Sequence, residues 1–453
     1  MVTTVLKRLS KLFKRKPEAF DQKPVKQNHD YALNTEHICP KAFQVVSVLK
    51  ENNFQAHLVG GCIRDLLLEK NPKDFDVATN AKPHEVKALF KRSRIVGRRF
   101  QIVHVPFGRD IIEVTTFRSN SPDKIQSSRA KRHLQQSASG LLTRDNVFGS
   151  IKEDAHRRDL TINALYYDPV DNKLSDFCEG LKDLKDRKIR IIGDPALRYR
   201  EDPVRLLRVI RFTAKLGFEI EPKTLKPIAK LAQNLSHVSA PRMFDETLKL
   251  FMSGYGLTIF KLLRRFGLFA FIIPQTSRII EQGDNFALRL VEQAFENTDL
   301  RICNKQRVTP AFIYAALLWP SVNQLASSLR GKGHSPSMAI NKAANEVIAN
   351  QIPTTAIPRR FTTAMREIWS LQLSLPRRGG ERAKRLSEHP RFRAAYDFVL
   401  LREQAGENLD GLGSWWTQYQ QANELGRQEM VRKIDMGRSK KSRQRRRKPR
   451  NKQ

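Results

Sequence analysis

Apolar and polar positions along this chain fall into two regimes. Between Lys41 and Arg118 the period changes from one short segment to the next. "KAFQVVSVLKENN" has the three-to-four-residue spacing of a helix. "QAHLVGG" is a short apolar run closed by glycines and predicts a buried strand. "CIRDLLLEK" predicts a helix, "DFDVAT" a strand, and "PHEVKALFKR" a helix with Pro83 near its start. "RIVGRRFQIVHVPF" and "RDIIEVTTFR" alternate β-branched residues on either side of Gly108 and predict a strand pair. Ser119–Gly140 is rich in Ser, Gln and Arg without an apolar period, which predicts a mobile loop. Beyond it the helical period dominates. "AHRRDLTINALYYD" predicts a helix, "LKDLKDRKIRIIG" a turn-rich segment, and "REDPVRLLRVIRFTAKLG" a helix. The helical reading continues to about Leu425, with breaks near Gly254, Pro274, Pro353 and Gly379–Gly380, and no solenoid repeat stands out. The expected fold class is α+β: a small mixed-sheet head followed by an all-α body, with disordered basic termini. The expected divisions are an arm at 1–40, a head at 41–150, a first helical domain at 151–270, a helical body at 271–425 and a tail at 426–453.

Composition adds one fact that changes this picture. The 453 residues carry 82 Lys+Arg against 46 Asp+Glu, a net charge of +36. The segment Val431–Gln453 contributes 12 Lys/Arg and one acid, so most of the excess belongs to the body. Such a surface repels itself unless it meets a polyanion, and nucleic acid is the first candidate. The four cysteines, Cys39, Cys62, Cys178 and Cys303, are far apart and form no C-x-x-C pair, which argues against a disulfide scaffold or a zinc site and fits a reducing compartment. No apolar run reaches transmembrane length and no signal peptide is visible. The start, "VLKRLSKLFKRK", spaces Val5, Leu6, Leu9, Leu12 and Phe13 helically among cations, which leaves an anionic membrane surface open beside the plainer reading of a frayed basic arm.

The chemistry concentrates in a few short stretches. Asp74 and Asp76 are spaced i and i+2, which on a strand puts both carboxylates on one face. Such a pair repels itself unless cations lie between, and hard divalent ions take carboxylate and phosphate oxygens together. Gly60 and Gly61 end a strand and open a helix, where exposed N–H groups favour an anion, with Arg64 one turn on. Glu113 lies between Ile112 and Val114 and therefore faces away from them, as a third metal ligand or as a solvated edge residue. In "RRDLTINAL", Arg157 and Arg158 precede Asp159, and Asp159 and Asn163 share a face if the segment is helical. They could hold a ribose, order the arginines or, for Asp159, add an acid near the metals; a plain helix N-cap is the competing reading. In "REDPVRLLRVIRF", Asp202 precedes Pro203 as an N-cap precedes a first-turn proline. Arg205 and Arg208 share a face, so Asp202 and Arg205 could read a base edge or simply form a cap and an ion pair.

Taken together, "LVGGCIRDLLL", "DFDVAT", "RRDLTINAL", "LKDLKDRKIR" and "REDPVRLLRVIRF" resemble, in order and rough spacing, the nucleotidyltransferase family of tRNA CCA-adding enzymes and bacterial poly(A) polymerases. Within it, "IVGRRFQIVHV", "LLTRDNVFGSIKEDAHRRD", "HPRFRAAYDFVLLR" and the basic C-terminus resemble the poly(A) polymerase branch. The resemblance covers most of Lys41–Tyr419. It implies a catalytic head, then a neck that recognises the nucleotide, then an RNA-binding body and tail. It implies that Gly60 and Gly61 hold a triphosphate, which Arg64 could reach unless it is a surface arginine or pairs with Asp65, and that Asp74 and Asp76 bind two Mg²⁺ ions, with Mn²⁺ as an alternative. Glu113 and Asp159 compete as the third acid, Glu113 being preferred on strand geometry. Arg157, Arg158 and Asp159 serve the ribose and the site's architecture, and Glu201, Asp202 and Arg205 the base, with Asn163 and Arg208 as further candidate nucleotide-binding residues beside them.

The expected activity is template-independent transfer of AMP from ATP to RNA 3′ ends, in a bacterial cytoplasm or peripherally at its membrane. Expected partners are ATP and RNA 3′ ends held through phosphates, with RNA-decay proteins or an anionic membrane surface left open and a monomer as the default state. The close alternative is a CCA-adding enzyme using CTP as well as ATP. The His-Asp phosphohydrolase domain that some of those carry is absent, since the one His-Asp step, His29–Asp30, falls in the arm. An alternative of another class is a non-catalytic RNA-binding protein on the same scaffold, which the full set of carboxylates opposes.

Overall fold

The computed structural model describes residues 33, 35–97, 101–119, 134–136, 142–145 and 147–446. Nearly all of the 1–40 arm, most of the 119–140 loop and residues 447–453 lie outside them. By internal contacts the chain divides into two units: the residues up to Asp202 with Phe218–Leu225, and Pro203–Gly217 with Lys226 onwards.

The first unit is built on a seven-stranded sheet. Its elements are α1 (Pro40–Glu51), β1 (Ala56–Val59), α2 (Gly61–Leu67), β2 (Asp76–Thr79), α3 (Pro83–Leu89), β3 (Arg94–Val96), β4 (Ile102–Phe107) and β5 (Asp110–Thr116). A separate two-stranded pair, β6 (Leu134–Gln136) and β7 (Leu142–Asp145), follows. Next come α4 (Ile151–Arg157), β8 (Leu165–Asp168), β9 (Lys173–Asp176), α5 (Gly180–Lys185), β10 (Lys188–Ile189) and α6 (Pro195–Glu201). The sheet order is β3-β4-β5-β2-β1-β8-β9, and β2 with β5 is its parallel pair among antiparallel neighbours. Val103 and Val105, Ile112 and Val114, Val77, and Leu58 alternate onto one apolar face. Helix α1, which buries Ala42, Val45, Val46 and Leu49 at helical spacing, packs against β1, β2 and β5.

On the opposite face one row crosses the sheet, polar from Arg94 to Asp76 and then buried at Val59 and Tyr166. Arg94 pairs with His104, His104 with Glu113, Glu113 with Asp76, Asp76 with Val59, and Val59 with Tyr166. Residues opposite one another across a ladder share a face, so this row places side chains from six strands on one side of the sheet.

Three expectations need correction here. "AHRRDLTINALYYD" is not one helix: α4 ends at Arg157, Thr161–Asn163 is a single 3₁₀ turn, and Leu165–Asp168 is strand β8 beside β1. All four β8 residues are buried, so the strand reads as an unbroken apolar run that a helical period can absorb. In "REDPVRLLRVIRF" the first two residues end one helix, and the cap of the next is Pro203 rather than Asp202. Asp202 is the extended residue closing α6, with φ −148° and ψ 95°, and Pro203 caps α7 (Val204–Leu216). A proline disfavours helical geometry in the residue before it, which moves the break to Asp202. Residues 134–136, expected to be loop, pair antiparallel with β7; backbone pairing needs no apolar period.

The second unit is helical. It comprises α7, α8 (Ala240–Phe251), α9 (Gly256–Arg265), α10 (Pro274–Glu281), α11 (Asn285–Cys303), α12 (Pro310–Gly331), α13 (Pro336–Gln351), α14 (Arg359–Ser374), α15 (Arg382–Ser387), α16 (Phe392–Gln404), α17 (Leu412–Gln421) and α18 (Glu424–Arg446), with a few shorter turns. Phe251, Phe260, Phe269 and Phe295 interlock at ring distances of 4.5–5.4 Å. A second core gathers Leu375, Tyr396, Trp416 and Tyr419, where the buried Trp416 indole donates to the Leu375 carbonyl. Helix α18 corrects the expectation of a disordered segment from 426. Its first turns are docked: Met430 and Val431 pack on the Trp416 core, Arg427 donates to the Tyr419 and Gln420 carbonyls, and the Asp435 carboxylate accepts from the Gly380 N–H. A few apolar anchors at helical spacing are enough to hold a strand of good helix formers that composition alone marks as unfolded.

Candidate active site

Strand β2 begins at Asp76. Asp74 lies just before it and is exposed, and Phe75 between them is buried, so both carboxylates project away from the core. Across the parallel ladder Asp76 faces Glu113, whose exposure beside the buried Ile112 and Val114 puts it on the polar face. Burial raises the Asp76 carboxyl, Glu113 raises it further, Arg158 opposes, and Asp74 adds to the rise; the result is about 6. Beneath it, burial and then the Asp76 charge push the Cys62 thiol up to about 12, so it stays a neutral packing group whose Sγ–H donates to the Val59 carbonyl at 3.3 Å.

On the β1 side of Asp76 lies the glycine turn. Gly60 has φ +83° and ψ −127°, a conformation side chains resist. A Cβ there would stand 3.5 Å from the Arg158 guanidinium, so the bare backbone keeps space beside that cation. Arg64 is not a surface arginine. It is 2 % exposed, donating from Nη1 to Asn163 Oδ1 at 2.5 Å and from Nη2 to Asp65 at 2.6 Å. Asn163 in turn donates to Asp159 Oδ1 at 3.3 Å. Asp159 and Asn163 therefore meet, across a 3₁₀ turn rather than along a helix. Asp65, Arg64, Asn163 and Asp159 form a polar chain tying α2 to the Arg-Arg-Asp segment.

The residues that sequence reading missed are the ones that hold the arginines. Asp154, 1 % exposed, accepts from Arg157 Nε at 2.9 Å, Arg158 Nη2 at 3.2 Å, Tyr166 Oη at 2.6 Å and the Arg118 N–H at 3.1 Å. Burial would raise its carboxyl, but Arg158, Arg157 and the Tyr166 hydroxyl bring it to about 2. Arg158 also donates from Nε to Tyr166 Oη at 2.8 Å and lies 5.2 Å over its ring. Arg198 hydrogen-bonds the Arg157 carbonyl, the Arg158 carbonyl at 2.7 Å, and Glu201 Oε2 at 2.7 Å. One signal was available: in "EDAHRR" an acid three and four residues before two arginines is a ready intrahelical partner.

The structure thus brings Gly60, Gly61, Arg64, Arg158, Asn163, Asp159, Asp76 and Glu113 into one neighbourhood, and Arg198 ties Glu201 to its arginines. Arg205 and Arg208 belong to the second unit, where Arg205 is 9 % exposed and Arg208 lies 5.5 Å over the Phe212 ring. Among the described residues no three His, Cys, Asp or Glu side chains converge at ligand distance. The donor set is nevertheless all oxygen, and a carboxylate held up at about 6 first by burial and then by Glu113 and Asp74 is a site where negative charge is disfavoured, which a hard divalent cation would relieve. A cavity of about 350 Å³ lined by His156, Thr161, Arg190, Gly193 and Glu221 opens elsewhere on this unit and includes none of the acids just described.

Comparison with known proteins fixes the family. Over 395 residues the chain is 47 % identical to the poly(A) polymerase I of Haemophilus influenzae, covering 86 % of each. This chain belongs to the bacterial poly(A) polymerase I family. Family models match accordingly: the poly A polymerase head domain at 56–190, a probable RNA and SrmB-binding site of polymerase A at 217–280, and the polymerase A arginine-rich C-terminus at 332–452. The CCA-adding enzyme of Bacillus licheniformis is 37 % identical over 210 residues, 46 % of this chain and 49 % of its own. The fold is shared with the Bacillus stearothermophilus CCA-adding enzyme solved in complex with CTP, at a TM-score of 0.55 and 24 % identity over 85 % of this chain and 82 % of that one. Membership in the poly(A) polymerase I family brings with it nucleotidyl transfer, a nucleotide substrate, a divalent metal and RNA binding. No helix among the described residues is long and apolar enough to cross a membrane.

Proposed function

We propose that this chain extends RNA 3′ ends with AMP from ATP, using the Asp76 face of the head as its reaction centre. It is a polynucleotide adenylyltransferase that adds poly(A), and CCA addition is not favoured, since the sequence match to the Bacillus licheniformis CCA-adding enzyme spans under half of the chain against 86 % for the poly(A) polymerase I of Haemophilus influenzae. The observation that carries the assignment of the centre is the cross-strand pair Asp76 and Glu113, with Asp74 beside it and the Gly60–Arg158 cradle on its other flank.

In this reading Asp74, Asp76 and Glu113 would hold two Mg²⁺ ions. Bound there, such ions lower the pKa of the RNA 3′-hydroxyl and neutralise charge on the phosphoryl group in transfer. Gly60 and Gly61 leave bare backbone for the triphosphate, and Arg158 supplies a cation beside them. Arg64 and Asn163 position the glycine turn rather than touching phosphate, since their polar groups are already engaged with Asp65 and Asp159. Arg157 is held by Asp154, and Arg198 fixes the arginine segment against Glu201. Asp202 is assigned to the base on the first unit, and Arg205 and Arg208 on α7 are kept as separate candidate nucleotide-binding residues. Glu113 is favoured over Asp159 as the third acid because its charge acts directly on Asp76, whereas Asp159 is bonded to Asn163. The domain divisions 41–150, 151–270 and 271–425 are kept as functional assignments to head, neck and body.

The test is to incubate the full chain with a generic RNA primer, Mg²⁺ and each nucleoside triphosphate singly. A long ladder with ATP alone is expected. Growth by three nucleotides confined to tRNA-like ends would overturn the assignment.

A further inference from the structure

The polar row of the sheet does not stop at the acids. Beyond Glu113 it continues to His104 on β4 and Arg94 on β3, each the direct ladder partner of the residue before it. Val103 and Val105 flank His104 and are buried, so His104 points to the same side as Glu113, with Nε2 3.6 Å from Glu113 Oε1. Arg94 is exposed, and among the described residues no acid is paired with it. Strands in a sheet are ~4.8 Å apart, so three steps carry the row about 14 Å from Asp76 to Arg94. Along it lie two acids and then two groups that bind anions.

Direction gives this arrangement its meaning. Phosphoryl transfer proceeds with the attacking and leaving oxygens roughly in line. If the triphosphate occupies the Gly60–Arg158 flank of Asp76, the attacking 3′-hydroxyl must come from the opposite flank, which is where His104 and Arg94 stand. We propose that His104 and Arg94 form the primer side of the active site, contacting the phosphates of the last nucleotides at the RNA 3′ end. The inference rests on the reading of Asp74, Asp76 and Glu113 given above. The competing role for Arg94 is a charge that keeps edge strand β3 from pairing with another sheet.

The test uses full-length protein and a fluorescein-labelled oligoadenylate primer. Binding is followed by anisotropy in EDTA across a salt series, and steady-state rates are measured with primer and ATP varied separately. Arg94→Ala should flatten the slope of log affinity against log salt by about 0.7, the share of one phosphate contact on a single strand, and Arg94→Lys should restore it. Arg94→Ala and His104→Asn should each raise the primer KM several-fold while the ATP KM stays constant. An unchanged slope with an unchanged primer KM in both variants, or a rise in the ATP KM instead, overturns the proposal. Asp76→Asn is run in parallel. If it stays active, the assignment of the reaction centre has failed and the proposal with it. If it is inactive while Arg94→Ala and His104→Asn are silent, the primer-side proposal alone has failed.

Discussion

Asp76 is held in the fold at a cost, because burial and the neighbouring Glu113 and Asp74 all disfavour its charge. Asp74→Asn and Asp76→Asn are each expected to abolish AMP addition while leaving RNA affinity near that of the parent. In metal-free buffer near neutral pH, Asp76→Asn should raise stability by roughly 1–2 kcal/mol, since a carboxyl whose folded pKa is raised destabilises the fold wherever it is ionised. A urea titration in EDTA reads this, and a loss of stability would contradict it. Glu113→Gln should regain part of its activity in high Mg²⁺ or in Mn²⁺, whereas Asp159→Asn should raise the ATP requirement. Metal rescue confined to the Asp159 variant would reverse their roles. Asp154 behaves in the opposite sense to Asp76. Its folded pKa is depressed to about 2, so its contribution is present above the unfolded value near ~4 and is lost as pH falls towards 2. Asp154→Asn should therefore lower stability at pH 7, on the order of 2 kcal/mol, and lower it much less at pH 2.5, as urea midpoints at the two pH values would report.

At the scale of elements, the legible ones were those whose burial is one-sided. Strands β4 and β5 alternate, and α1 has a clean apolar stripe, so sequence alone placed them and the orientation of Glu113. Strand β8 is buried on both sides, which removes the alternation, and its place beside β1 depends on partners far away in the chain. Asp154 was passed over because an acid in a helix next to arginines looks like a solvated pair; only the fold shows it sealed against Tyr166 and the Arg118 N–H. Helix α18 was missed because composition averages over its three docking points. That helix makes two truncations informative. Ending the chain at Asn423 removes Met430 and Val431 from the Trp416 core and should lower stability by about 1–3 kcal/mol. Ending it at Met436 leaves the docked turns and removes ten Lys/Arg. It should leave stability unchanged, flatten the salt slope of RNA binding and shorten products per encounter, while single-nucleotide addition at saturating primer survives. Equal stability loss in both truncations would mean that the docked turns contribute nothing.

Across the whole molecule, the charge of +36 is distributed rather than terminal. The Met436 truncation should therefore still bind RNA with an affinity that falls with salt, because most of the cations remain. Salt-independent binding after that truncation would place all the phosphate contacts in the tail. The sheet has a consequence in time as well. Val59 on β1 pairs with Asp76 on one side and with Tyr166 on the other, and Gly60 donates its N–H to the Leu165 carbonyl. The glycine turn is therefore locked only when a strand emerging long after it reaches the sheet, and loop closure over such distances is slow. A nascent or refolding chain should form the β4–β5 hairpin early and hold an incomplete triphosphate cradle until β8 docks. In pulsed hydrogen exchange during refolding, the amide of Gly60 should gain protection after those of Val103 and Val105. Catalytic competence would then be acquired in a single late step, so that partly synthesised heads cannot consume ATP.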